Sequence, residues 1–356
     1  MKITCSRREV LAGASALCLT AGASRALSDG PRLISAAHVG TRDGGALWSA
    51  GSLTPFDLPA RGHAPVRLPD GRVLMMARRP GLLATIVEPR APGAPPQTFA
   101  PSGNGRFAGH ACVSPDGKTL VTSEFDAATF EGALVSRDAK TGIERARWPL
   151  GGIEPHEIVF AQGGSRIVVA LGGLVKDGGV AGPAFNPDGV DSAVLEIDPS
   201  TGRVLARRKL AQASLSLRHL ATDGKTTVVA AQDQDISLAR PLLAKVGSAL
   251  EPLAWPDPRE CDFRSYIGSV AIDRSGAFIA AASPRGGVLG LWSASDRRWL
   301  GGLAIPDVCG VTAGADGFWA SSGLGQIVKI AASASGPGIE ARWHADAGFD
   351  NHLLLI

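Results

Sequence analysis

Along most of the chain, short apolar runs of roughly four to eight residues alternate with polar positions and are cut by turn residues. One turn signature recurs as Pro69-Asp70-Gly71, Pro115-Asp116-Gly117, Gln162-Gly163-Gly164, Thr222-Asp223-Gly224, Arg274-Ser275-Gly276 and Ala315-Asp316-Gly317. Each lies between two β-rich runs, as Pro115-Asp116-Gly117 lies between Ala111-Cys112-Val113-Ser114 and Thr119-Leu120-Val121-Thr122, which is a hairpin signal. A second turn follows in several units, Asp138-Ala139-Lys140-Thr141-Gly142 and Asp198-Pro199-Ser200-Thr201-Gly202, so each unit has two hairpins and four strands. No stretch beyond the N-terminal segment keeps a helical period for more than about three turns. Four-stranded units repeating every 40–50 residues or so predict a β-propeller. Residues 27–356, 330 of the 356, give about 47 per unit if there are seven. The ends predict how the ring closes: Phe349 to Ile356 reads as a first strand with nothing after it, and Leu33 to Leu58 as three strands lacking a first. The expectation is an all-β, seven-bladed propeller of the YVTN/WD40-like class. Its last blade would join the C-terminal strand to N-terminal ones and so remove the open edges.

Composition agrees with this pattern. With 45 Gly, 24 Pro, 45% apolar and 19% charged residues the chain is turn-dense and has ample core. The net charge of +3 is carried by residues 1–26, where Lys2, Arg7, Arg8 and Arg25 face Glu9, so the rest is balanced. Without a basic face, the counterion-release term that drives nucleic-acid binding is missing, and anionic membranes offer no attraction. Residues 1–26 read as a twin-arginine export signal: Ser6-Arg7-Arg8-Glu9-Val10-Leu11, an apolar run from Val10 to Ala23, and small-residue cleavage sites at Ala21-Gly22-Ala23 and Ser24-Arg25-Ala26. The run is too short to span a bilayer, so cleavage leaves no membrane anchor and the expected compartment is the periplasm. This export route carries folded proteins, often with a metal or cofactor already loaded. Cleavage leaves Cys112, Cys261 and Cys309, with no spacing that suggests a disulfide framework or a zinc ribbon.

Aligning the units by their first strand exposes the candidate chemistry. The opening residue of that strand is His63, His110, His156, His219, Gly268, Cys309 and His352 around the ring, so five of the seven histidines share one repeat position. First strands line the central channel of a propeller, and imidazoles at one height can converge on one point. Converging neutral imidazoles suit iron, copper or zinc, and sulfur at Cys309 shifts the preference toward copper or zinc. Glu157, Glu124 and Gln232 are placed to orient ligand rings by accepting their other N–H. The alternative is that the histidines bond to backbone carbonyls and waters in a plugged channel.

Gly109-His110, Ser114-Pro115-Asp116-Gly117, Glu124-Phe125-Asp126, Glu154-Pro155-His156-Glu157, Leu217-Arg218-His219-Leu220, Ser283-Pro284-Arg285-Gly286-Gly287, Asp307-Val308-Cys309-Gly310 and Asp350-Asn351-His352-Leu353 resemble domain-of-unknown-function family 1513. Ala77-Arg78-Arg79-Pro80-Gly81 fits as well, and the resemblance covers nearly all of residues 27–356. It implies bacterial proteins exported by twin-arginine signals, similar to seven-bladed propellers, often encoded near imelysin-type and other iron-uptake proteins. It implies no established molecular activity, and supports iron only by association. Phe125 and Phe349 stand where the family usually has Asn and Trp.

Other activities fit less well. No G-x-S-x-G occurs for a serine hydrolase, and seven irregular Trp with no Cys-Cys argue against a quinone-dependent dehydrogenase. No nucleotide cofactor is indicated. A lactonase-like hydrolase, in which a metal or a His and Glu pair activates water and Arg285 steadies a carboxylate, ranks below metal binding. Arg285 is a candidate anion-binding residue, or a fork onto a carboxylate that locks adjacent blades. The long loop from Gly173 to Asp191 predicts a lid or a partner contact, with Asp177, Asn186, Asp188 and Asp191 as weak calcium candidates. The run from Pro89 to Pro96 reads as a stiff connection between blades. Two functions follow as expectations: periplasmic metal handling or iron uptake through the channel histidines, or a non-catalytic docking scaffold for another exported protein.

Overall fold

The computed structural model describes residues 30–174 and 190–356. Several first-type turns close a hairpin through their own polar side chain. Asp116 Oδ1 accepts the Lys118 N–H at 3.1 Å and the Ser114 hydroxyl at 2.6 Å, and Gly117 takes the left-handed conformation at φ +73°. The second type works alike, with Asp138 Oδ1 accepting the N–H groups of Lys140 and Thr141.

These hairpins build seven small antiparallel sheets. Blade one consists of Gly62–Arg67, Val73–Ala77, Ala84–Val87 and Gln97–Phe99; blade two of Gly105–Val113, Thr119–Asp126, Glu131–Asp138 and Glu144–Ile153. Blade three comprises Pro155–Ala161, Arg166–Leu171, Ala193–Ile197 and Val204–Arg208, and blade four Leu215–Thr222, Thr227–Asp233, Leu243–Val246 and Leu250–Pro252. Blade five holds Ser269–Ile272, Phe278–Ser283, Val288–Ser293 and Trp299–Ala304; blade six holds Val308–Ala313, Phe318–Ser322, Gln326–Ser333 and Gly336–His344. The first strands of successive blades touch one another in ring order, which makes them the inner wall. Among the described residues the only helical segment is the 3-10 turn Gln162–Gly164.

Blade seven closes the ring as expected. Arg32–Val39, Arg42–Ser49 and Ser52–Phe56 are its outer three strands, and the C-terminus supplies the inner one as two short pieces, Gly348–Phe349 and Leu354–Leu355. Both pieces pair with the same neighbour, Phe349 opposite Ala37 and Leu355 opposite Leu33. The Pro-rich run departs from expectation: it joins the third and fourth strands inside blade one, not two blades.

The core lies between blades, where apolar faces of adjacent sheets meet. Trp48 of blade seven packs with Trp319 and Trp343 of blade six at ring-centroid distances of 5.7 and 5.2 Å. Antiparallel pairing sets the start of each inner strand beside the end of the second, as Gly62 opposite Ala77 and Pro155 opposite Leu171. The loops between second and third strands therefore share one face of the ring with the residues that open the inner strands.

Candidate metal centre

The inner strands are irregular at one repeated place. Pairing in blade one jumps from Gly62↔Ala77 to Pro65↔Met75, spanning His63, and in blade two from Phe107↔Glu124 to Ala111↔Thr122, spanning His110. The same break spans His156 in blade three and Cys309 in blade six, and ends at His219 in blade four. In blade seven the gap between Gly348–Phe349 and Leu354–Leu355 holds His352. A bulge bends the strand and re-aims its side chains, which frees these residues from the up-down alternation of a regular strand. Gly109 shows what this demands: it adopts φ +102°, and a Cβ there would stand 2.8 Å from His63 Cδ2.

The five rings form one buried cluster. Centroids are 5.0 Å apart for His63 and His110, 4.6 Å for His110 and His156, 4.8 Å for His156 and His219, 5.1 Å for His219 and His352, and 4.6 Å for His352 and His63. Three groups of potential ligand atoms lie within 4.8 Å of one another: His63, His110 and His352; His110, His156 and His219; and Glu157, His219 and His352. An ion about 2.0–2.1 Å from each nitrogen cannot hold three of them all more than roughly 3.6 Å apart, so rings spread toward 4.8 Å would close in by about 1 Å to ligate it.

Carboxylates fix two rings and leave their other nitrogens free to point inward. His63 Nδ1 bonds Asp350 Oδ1 at 3.0 Å, and His219 Nδ1 bonds Glu157 Oε2 at 3.3 Å. Asp350 is held in turn by Arg78 Nη1 at 3.1 Å and the Asn351 N–H at 2.7 Å, and Glu157 by the Leu220 N–H at 3.1 Å. His110 Nε2, His156 Nδ1 and His352 Nε2 are buried with no hydrogen-bond partner among the described residues. Such orphaned nitrogens are rare and ask for an occupant.

Electrostatics keep His110, His156, His219 and His352 neutral, as ligation requires. Burial, then the neighbouring rings, pushes the imidazoles of His110 and His156 well below their ordinary value. Burial does the same at His219, with repulsion from His63 and Arg218 adding to it, and it brings His352 to about 3. Burial raises the Glu157 carboxyl. Asp350, despite burial, sits well below the usual carboxylate range because His63 and Arg78 face it.

The other residues singled out from sequence are placed differently. Cys309 occupies the ring position but belongs to none of the three ligand groups; its Sγ donates to the Asp307 carbonyl at 3.1 Å, and burial raises its thiol far above the usual range. Glu124 does not orient an imidazole: its wholly buried carboxylate bonds Arg137 Nη2 at 2.6 Å, Arg147 Nη2 at 2.9 Å and the Thr122 hydroxyl. Gln232 pairs with Ser216 and bridges to Tyr266 through its backbone. Arg285 is exposed, its guanidinium 4.7 Å over the Tyr266 ring. The Tyr266 hydroxyl accepts Asn351 Nδ2 at 2.7 Å, so Arg285 approaches His352 only through two other side chains. Asp177, Asn186 and Asp188 lie outside the described residues, and Asp191 pairs with Arg207 and Lys209. Sequence reasoning missed Asp350, Glu154, Arg79 and Arg218. A signal existed for two of them, since Asp350 and Glu154 each stand two residues before a ring histidine.

Comparisons place this geometry. The structure is similar to hydrazine synthase of Kuenenia stuttgartiensis, with a TM-score of 0.58 and 14% identity over 78% of this chain and 86% of that one, a likeness of fold alone. No curated protein matches the chain. Residues 56–356 match the model of a family described as a protein of unknown function, and the chain, a seven-bladed propeller with five histidines gathered at its centre, belongs to that family, DUF1513.

Proposed function

We propose that the five histidines bind a transition-metal cation, iron or copper, and that the protein acts in metal handling or iron uptake in the periplasm after twin-arginine export. The observation that carries this reading is the set of three buried imidazole nitrogens, on His110, His156 and His352, that have no hydrogen-bond partner among the described residues. Left empty, each would cost about 1–3 kcal/mol. Neutral imidazole is the donor that iron and copper take readily, and Asp350 and Glu157 supply the outer hydrogen bonds that orient such ligands. An ion held there would bring Lewis acidity or one-electron chemistry. Imelysin-type or other exported iron-uptake proteins are the proposed partners.

The test is elemental analysis of protein exported by its own signal and purified without chelators, beside a His110→Ala, His156→Ala double variant. Near-stoichiometric iron or copper in the native protein, lost in the variant, is the expected result. Native protein that carries no metal and takes up none of iron, copper or zinc on titration overturns the reading. The scaffold alternative then gains, and it has one observation in its favour: Ile236 and Leu238 in blade four are 79% and 54% exposed, an apolar pair facing solvent.

A further inference from the structure

Beside the histidines, one carboxylate gathers three donors, yet two neighbouring donors go unserved. Glu154, at φ +57° and with its side chain only 6% exposed, accepts Arg79 Nη1 and Arg218 Nη2, the latter at 2.9 Å, on the same Oε1 oxygen; its Oε2 accepts the Leu174 N–H at 2.8 Å. Arg218 Nε–H, on a side chain only 5% exposed, has no acceptor among the described residues. Nor has the hydroxyl of Ser216, which is wholly buried two residues earlier on the same inner strand. Glu154 and Ser216 meet over Gly172, where a Cβ would stand 2.4 Å from Glu154 Oε2 and 3.1 Å from Ser216 Oγ. The cradle therefore adjoins the centre: Arg218 precedes His219, Glu154 stands two residues before His156, and the charges of Arg79 and Arg218 bear on both rings.

Charge arithmetic gives the occupant its sign. In formal charge, Arg61, Arg78, Arg79 and Arg218 outnumber Asp350, Glu154 and Glu157, four against three. A divalent cation would add two more positive charges to a buried site that already has no negative surplus, which is costly. A guanidinium N–H and a hydroxyl that lack acceptors call for a small acceptor carrying negative charge. We propose that Arg218, Arg79 and Ser216 bind a small oxyanion or carboxylate, which serves as an external ligand beside the histidine centre. The ligand half of this claim rests on the metal reading above; the anion half does not.

Two titrations separate them. Formate and bicarbonate are added to metal-free protein, with formate binding followed by saturation-transfer NMR, and to protein loaded with cupric ion, followed by its visible and paramagnetic-resonance spectra. Expected are saturable binding to the metal-free form and a shifted cupric spectrum. Affinity should fall about tenfold or more in Arg218→Gln, recover in part in Arg218→Lys, and fall several-fold in Ser216→Ala, the gentler change should Arg218→Gln fail to fold. Failure of both anions to bind either form, or unchanged affinity in Arg218→Gln and Ser216→Ala, overturns the anion site. Binding that leaves the cupric spectrum unmoved overturns its role as a ligand. Formate binding to a protein that takes up none of iron, copper or zinc defeats the metal reading and keeps the anion site.

Discussion

Individual histidines here do work that their ordinary titration would forbid. Burial and mutual repulsion hold His110, His156, His219 and His352 neutral in the folded protein, while in the unfolded chain each takes a proton near pH 6.5. The unfolded state then binds more protons, so stability is full above about pH 6.5 and falls as pH drops through the window reaching about 3 for His352. Each ring contributes up to about 1.4 kcal/mol per pH unit there, and Glu157, whose carboxyl is raised, runs the other way as one group against four. Urea denaturation of metal-free protein should therefore show a marked loss of midpoint between pH 7 and pH 5, and a flat profile would mean the rings are not buried as neutral groups. Glu124 tests the opposite assignment. Replacing it by Gln leaves buried Arg137 with only the longer 3.8 Å approach of Glu144, at a cost of about 3 kcal/mol, and metal content per folded molecule should not change. Reduced metal with unchanged thermal stability would instead return Glu124 to the ligand shell.

At the scale of elements, the inner strand is built to be interrupted. A regular strand would send alternate side chains into the two blade interfaces; the bulges at His63, His110, His156 and His219 release one residue per blade into the channel. Gly109 is one such tight place, and Gly109→Ala combines backbone strain at φ +102° with a clash against His63. We expect about 1–3 kcal/mol of lost stability together with weaker metal binding, read by thermal melts and metal titration. Full metal affinity in that variant would show that His63 is dispensable to the centre. The bulges were not legible in the sequence because a one-residue slip carries no composition signal. The hairpin turns were legible, since their Asp and Gly residues satisfy the chain locally, as at Asp116 and Gly117.

For the whole molecule, closure ties the fold to the centre. Leu354–Leu355 completes blade seven and His352 completes the ring of imidazoles, both within a few residues of the C-terminus. Ending the chain after Gly348 should abolish a cooperative thermal transition, because it exposes the inner edge of Arg32–Val39 and opens the ring. A truncated protein that still melts cooperatively near the native temperature would refute that role. Repetition explains what the sequence by itself determined. Turn chemistry and strand runs recurring every 47 residues or so set seven blades, the shared ring position of five histidines, and the pairing of the two chain ends. These follow from local rules applied repeatedly, so they can be read along the chain. Partner choice among charges was decided only by the tertiary structure. Glu124 pairs with Arg137 and not with an imidazole, Cys309 turns to the Asp307 carbonyl, and Asp350 and Glu154 gather arginines from blades one and four. The physical reason is that these pairings are settled by distances between loops and bulges of different blades, which exist only once the ring has closed.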